Sequence, residues 1–148
     1  MTSNAARTAL VTGATSGLGT EAAAQFAEAG FGRVIITGRT KQKAEAARAG
    51  LVQRTGKDVY ETLVLDNAKL ATVQAAASDM ADQGGTIDVL LLNAGLAPAK
   101  EIARTTDGLE MTMAASLTGH HLLTMQLLEI GLLAETARIV IAGSEAAR

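Results

Sequence analysis

The sequence predicts an α/β domain on a doubly wound parallel sheet, with strand order 3-2-1-4-5, and three observations carry that prediction. Short apolar runs alternate with helix-length segments over all 148 residues, a pattern that implies right-handed β-α-β crossovers and parallel strands. The first run leads through a glycine-rich turn, Thr12-Gly13-Ala14-Thr15-Ser16-Gly17-Leu18-Gly19, into an Ala-rich helix. The second run, RVIIT, is continuously apolar after its arginine and rich in β-branched residues, as a strand covered on both faces requires.

Each element follows in order. Residues 8–12 (TALVT) form the first strand. Residues 17–29 form a helix with Leu18, Ala22, Phe26 and Ala29 at helical spacing, and Gly30 stops it. The second strand covers 33–37, and Thr40 caps a helix running to about Arg54. Residues 59–65 give a third strand, and 70–83 a helix ended by Gly84-Gly85. The fourth strand, 87–92 (IDVLLL), breaks at Asn93-Ala94-Gly95, and Pro98 lies in the loop beyond. Asp107-Gly108 introduces a long helix over 109–133, kinked near Gly119. The fifth strand is 137–142 (ARIVIA), with Gly143-Ser144 at its end. No linker or second domain interrupts the chain, so residues 1–148 read as one domain.

Composition narrows the function classes. A net charge of -2 and 48% hydrophobic residues describe a soluble globular protein rather than a nucleic-acid binder. The three aromatics, Phe26, Phe31 and Tyr60, offer no stacking platform for bases. Without cysteine there is neither a disulfide nor a Cys-based zinc site, and no metal site is expected. His120 and His121 are adjacent, so on a helix they point about 100° apart and cannot chelate one metal together. No signal-peptide pattern opens the chain, and no apolar stretch approaches the ~20 residues that span a bilayer. The expectation is a cytoplasmic protein without membrane insertion.

The helix over 109–133 is unusual. Its second half, HLLTMQLLEIGLL, is apolar on nearly every side, which implies cover on both faces. Either another part of the same chain covers it, or it forms the interface of a homo-oligomer.

The glycine turn lies between a strand and a helix, where backbone amides and the positive end of the helix dipole face an anion. It lacks the Gly-Lys-Ser/Thr ending of a P-loop. A diphosphate group of a dinucleotide fits that setting. The spacing GxxxGxG preceded by Thr12 resembles the short-chain dehydrogenase/reductase family, whose fold is Rossmann-like. Asn93-Ala94-Gly95 after the fourth strand resembles the family element that supports the sheet beside the cofactor ribose, and Leu65-Asp66 resembles the site where an Asp meets the adenine. Thr106-Asp107-Gly108-Leu109-Glu110, Gly119-His120 and Leu122-Leu123-Thr124 resemble the branch that holds retinol dehydrogenases and protochlorophyllide reductases. The resemblance covers essentially the whole chain. It implies Gly13, Thr15, Ser16, Gly17, Leu18, Gly19, Asp66, Asn67, Asn93, Ala94 and Gly95 as cofactor residues, with His120 structural.

The choice of dinucleotide has a physical basis. Folds that bind NAD place an acid about 20 residues beyond the glycine turn to hold the ribose 2′-hydroxyl. Here the second strand ends in Thr37-Gly38-Arg39-Thr40-Lys41. The Arg39 guanidinium can grip a 2′-phosphate bidentately, and Thr40 can add a hydroxyl. Lys41 and Lys43 read more simply as solvated helix residues. NADP(H) is therefore expected over NAD(H).

The resemblance also implies a catalytic set for hydride transfer with a small carbonyl or alcohol substrate. A tyrosine gives a proton, its pKa lowered by a lysine four residues later, and a serine hydroxyl supports the developing charge. Ser144 matches the serine, and Ser116 stands where the family has an asparagine of a proton relay. Tyr-x-x-x-Lys does not occur: the one tyrosine, Tyr60, is followed four places on by Val64. The expectation is a C-terminally truncated unit, whether a fragment, a truncated gene product or a deliberately shortened version, with its fifth strand left as an exposed edge. Two further readings stay open, a non-catalytic dinucleotide-binding module and an inactive truncation product.

Overall fold

The segments TALV and RVIITG carry no charge beyond Arg33, so both of their faces can be buried, and in the computed structural model they lie side by side at the centre of the sheet. The structure describes residues 4–97 and 100–143. Strands β1 (Thr8–Val11), β2 (Arg33–Gly38), β3 (Tyr60–Val64), β4 (Ile87–Leu92) and β5 (Leu133–Ile141) form a five-stranded sheet in the order β3-β2-β1-β4-β5. Every pairing is parallel. The strand order read from the sequence is the one observed.

Side chains alternate across the sheet, as the period of two demands. Leu10, Ile35 and Leu90 face one layer, where they pack with Val73, Ala76 and Met80 of α3 (Leu70–Gln83) and with Leu123 and Leu127 of α5 (Gly119–Glu129). Ala9, Val11, Val34 and Ile36 face the other, against Ala23, Ala24 and Ala27 of α1 (Gly17–Glu28) and Leu51 of α2 (Lys41–Thr55). Thr40 accepts the Lys43 N–H at 3.3 Å and so caps α2, as expected. Alanine on α1 lets helix and sheet approach closely, while each fully buried leucine contributes about 1.5–3 kcal/mol.

The long helix expected over 109–133 is not one helix. Glu110 caps a three-residue turn, α4 (Met111–Met113), by accepting the N–H groups of Thr112 and Met113. A π-helical stretch, Ala114–Thr118, follows, and only then does α5 begin. It ends at Glu129 because Gly131 adopts φ 70°. There the Gly131 N–H donates to Leu128 O at 3.1 Å and the Leu132 N–H to Leu127 O at 2.9 Å, the paired bonds of a left-handed helix stop. Unbroken apolar character hid that stop, and Leu133 is already the first residue of β5.

On α5 the chain itself covers one face. Leu123 and Leu127 are fully buried, whereas Met125 and Leu128 are about half exposed, at 50% and 51%. Among the described residues, strand β5 pairs only with β4 and lies at the sheet edge, with Ile139, Val140 and Ile141 exposed. Its pairing shifts register between Ile87↔Leu133 and Val89↔Arg138, which is why it begins earlier than the sequence pattern suggested. Among the described residues, no helix is long and apolar enough to cross a membrane.

Candidate functional site

The site is built where β1 gives way to α1. Thr12 is fully buried. Gly13 follows at φ 65°, and a Cβ there would stand 2.8 Å from Ala94 Cα. The Gly13 N–H donates to Thr37 Oγ1 at 3.1 Å and the Ala14 N–H to Thr37 O at 3.3 Å, so the end of β2 holds the turn. Gly19 abuts the same turn: a Cβ on it would lie 2.3 Å from Gly13 O and 2.6 Å from Asn93 Nδ2. Only a residue without a side chain fits either place. Ser16 precedes α1 in an extended conformation and makes no side-chain capping bond, so the first-turn amides are left for an anion at the positive end of the helix.

Asn93 ties the turn to β4. Its Nδ2 donates to Thr12 O at 3.1 Å and to Gly13 O at 3.3 Å. The Thr12 hydroxyl in return accepts the N–H groups of Asn93 at 2.9 Å and Ala94 at 3.0 Å. His120, buried on α5, approaches the same hydroxyl through Nε2 at 2.8 Å. Burial pushes the His120 imidazole pKa down, opposed in part by the bond to the Ser116 carbonyl.

A cleft of about 620 Å³ opens above this floor. Gly13, Thr15, Ser16, Arg39, Asp66, Asn67, Asn93, Ala94 and Gly95 line it, as do Thr37, Gly38 and Leu65. The sequence reading thus places nine of its cofactor residues on one continuous wall, at the carboxyl ends of the strands where ligands bind in such sheets. Gly17, Leu18, Gly19 and Thr40 are not on that wall. Gly17 and Gly19 shape the start of α1, Leu18 is exposed, and Thr40 caps α2. Asp66 Oδ1 accepts the Ala68 N–H at 3.0 Å, which fixes the loop after β3.

Ala68, Lys69, Leu96, Arg104, Thr105, Thr106, Met111 and Ala115 complete the cleft. The Thr106-Asp107-Gly108 stretch resembles a branch of a family and marks no position in the cleft, and nothing in the local sequence marks Lys69, Met111 or Ala115. Ser116 lies in the π-helical stretch, where its Oγ accepts the Leu96 N–H at 3.2 Å and stands 3.4 Å from where a Cβ on Gly95 would be. It therefore supports the loop after β4. Ser144 lies outside the described residues. Tyr60 is buried in β3, bonded to Thr55 Oγ1 at 3.1 Å. It sits at the amino end of its strand, away from the cleft.

A second, open depression surrounds Arg33, Glu45, Arg48, Tyr60 and Glu61. It lies at the amino ends of β2 and β3 and is occupied by ion pairs, Arg33 with Glu61 and Arg48 with Asp58. No cluster of metal-binding side chains occurs among the described residues.

Comparison with known proteins agrees with this geometry. A family model described as short chain dehydrogenase matches residues 7–148. The chain is 34% identical over 142 residues to the bovine (Bos taurus) dehydrogenase/reductase SDR family member 13, covering 96% of itself and 37% of that protein. It is 37% identical over 155 residues to human (Homo sapiens) retinol dehydrogenase 14, covering 94% of itself and 45% of the relative. A short chain dehydrogenase of Escherichia coli CFT073, solved in complex with NADPH, superposes with TM-score 0.74 at 28% identity, over 96% of this chain and 60% of the other. The chain thus spans less than half the length of these two curated relatives. With the sheet order, the glycine turn and the Asn93-Ala94-Gly95 turn in place, the match over residues 7–148 shows that the chain belongs to the short chain dehydrogenase family.

Proposed function

We propose that this chain binds NADP(H) in the 620 Å³ cleft and is the cofactor-holding part of an oxidoreductase acting on a small carbonyl or alcohol. One observation carries the reading. The uncapped start of α1, the close-packed Gly13 turn and Arg39 all border one cleft at the carboxyl end of the sheet. The first-turn amides take the diphosphate. Arg39, which has no ion pair among the described residues, takes the 2′-phosphate through its planar fork. Asp66 and Asn67 border the adenine end, and Asn93, Ala94 and Gly95 the ribose. When bound, the nicotinamide supplies the hydride. The NADPH of the Escherichia coli relative supports this choice of dinucleotide.

The one tyrosine is buried in β3, where desolvation raises its pKa. It does not line the cleft and gives no proton there. Self-association of the chain through α5 is part of the same proposal, because Met125 and Leu128 keep apolar side chains exposed there.

Calorimetric titration tests the reading. NADPH should bind and NADH should bind more weakly. Arg39→Asp should abolish the preference, since a carboxylate repels the 2′-phosphate. At a hundredfold excess over its dissociation constant the ligand should add about 2.7 kcal/mol of stability. A folded chain that yields no heat with either dinucleotide would refute the proposal.

A further inference from the structure

The Thr12 hydroxyl joins three segments, and its bonding capacity is fully used. Its oxygen accepts the N–H groups of Asn93 and Ala94. A hydroxyl has two lone pairs and one proton, so those amides exhaust its capacity to accept. The contact with His120 Nε2 at 2.8 Å can then only be the hydroxyl donating to a bare ring nitrogen. The rival acceptor, Leu91 O, lies farther off at 3.4 Å. On the other side of the ring, Nδ1 lies 3.1 Å from Ser116 O, which is an acceptor alone. The ring proton therefore sits on Nδ1.

We propose that His120 is a positioning residue for the dinucleotide: by accepting the Thr12 proton it directs that hydroxyl's lone pairs at Asn93 and Ala94, and so fixes the distance between the glycine turn and the Asn93-Ala94-Gly95 turn. The inference rests on the NADP(H) reading of the cleft that both turns border. A relay of bonds runs from Ser116 through His120 and Thr12 to the two amides, linking the π-helical stretch to the cleft floor.

The arrangement is sensitive to protonation. A proton on Nε2 faces two donors toward each other, and the hydroxyl can answer only by turning a lone pair to the ring and releasing one amide. Among the described residues, no ion pair holds the charged form. β1 has no ionisable side chain, and Asp88 of β4 is engaged with the Thr8 N–H at 2.8 Å. Asp79 and Asp82 of α3, His121 and Glu129 of α5, and Glu135 and Arg138 of β5 are all exposed. Asp66, in the loop after β3, is engaged with Ala68.

The test titrates NADP+ into the whole chain and into His120→Leu and His120→Gln. If the wild type takes up no NADP+, the dinucleotide reading falls and this inference with it. If it binds, His120→Leu should bind about tenfold more weakly, while His120→Gln, whose amide oxygen can accept the same proton, stays within about threefold. Affinity unchanged in His120→Leu, with only the melting temperature lowered, would show a purely structural side chain and overturn the proposal. A second readout covers a His120→Leu variant that fails to fold. The ratio of wild-type to His120→Gln affinity, in which the titration of the ligand phosphate cancels, should fall as pH drops below the ordinary imidazole value of about 6.5. A flat ratio would overturn the proposal.

Discussion

Gly19→Ala tests whether close backbone packing, rather than turn flexibility, explains the glycines at the start of α1. Gly19 is buried and helical, so alanine should on local grounds help, by about 1 kcal/mol. Its new methyl would, however, stand 2.3 Å from Gly13 O and 2.6 Å from Asn93 Nδ2, and the first of these is backbone that cannot swing aside. Relieving such overpacking costs about 1–3 kcal/mol. Losing the Asn93 bond to Gly13 O adds about 0.5–1.5 kcal/mol. The net destabilisation is about 0.5–3.5 kcal/mol, a fall in melting temperature of roughly 2–12 °C. Gly50→Ala is the matched control, since it lies in α2 with nothing within 4 Å of the added carbon. That variant should melt slightly higher, by about 0.4–1 kcal/mol. Both are read by thermal denaturation followed by circular dichroism, and NADPH titration should show Gly19→Ala weakened and Gly50→Ala unchanged. Should the two variants melt and bind alike, the close-packing account of the glycine turn is wrong.

Other predictions are simpler. Leu127→Ala removes a fully buried side chain between α5 and the sheet, and should cost about 2–5 kcal/mol in chemical denaturation. Tyr60→Phe should lose the bond to Thr55, about 0.5–1.5 kcal/mol, and leave NADPH affinity untouched; a weakened affinity would contradict its place outside the cleft. Glu110 is held below the usual carboxylate range by the N–H groups of Thr112 and Met113. Its stabilising effect is therefore present above the unfolded-state pKa and lost as pH falls through the depressed folded value. Melting curves from about pH 7 to about pH 3 should show the gap between wild type and Glu110→Gln closing toward acid.

The sequence by itself determined the class of fold, the strand order and one wall of the cleft. Those features depend on local pattern: β-branched runs pair as buried strands, and a glycine turn between strand and helix can be recognised within about eight residues. Arg39 and Asp66 were legible for the same reason, because each sits at a fixed place after a strand. Tertiary structure decided the rest. The end of α5 at Gly131 was hidden because leucines continue past it, and only the left-handed backbone there reveals the stop. Lys69 and Met111 line the cleft although nothing in their local sequence marks them, and the contact between Thr12 and His120 spans 108 residues. No spacing along a chain encodes such a bond; it exists only once α5 packs on β1 and β4 and brings the His120 ring to a buried hydroxyl.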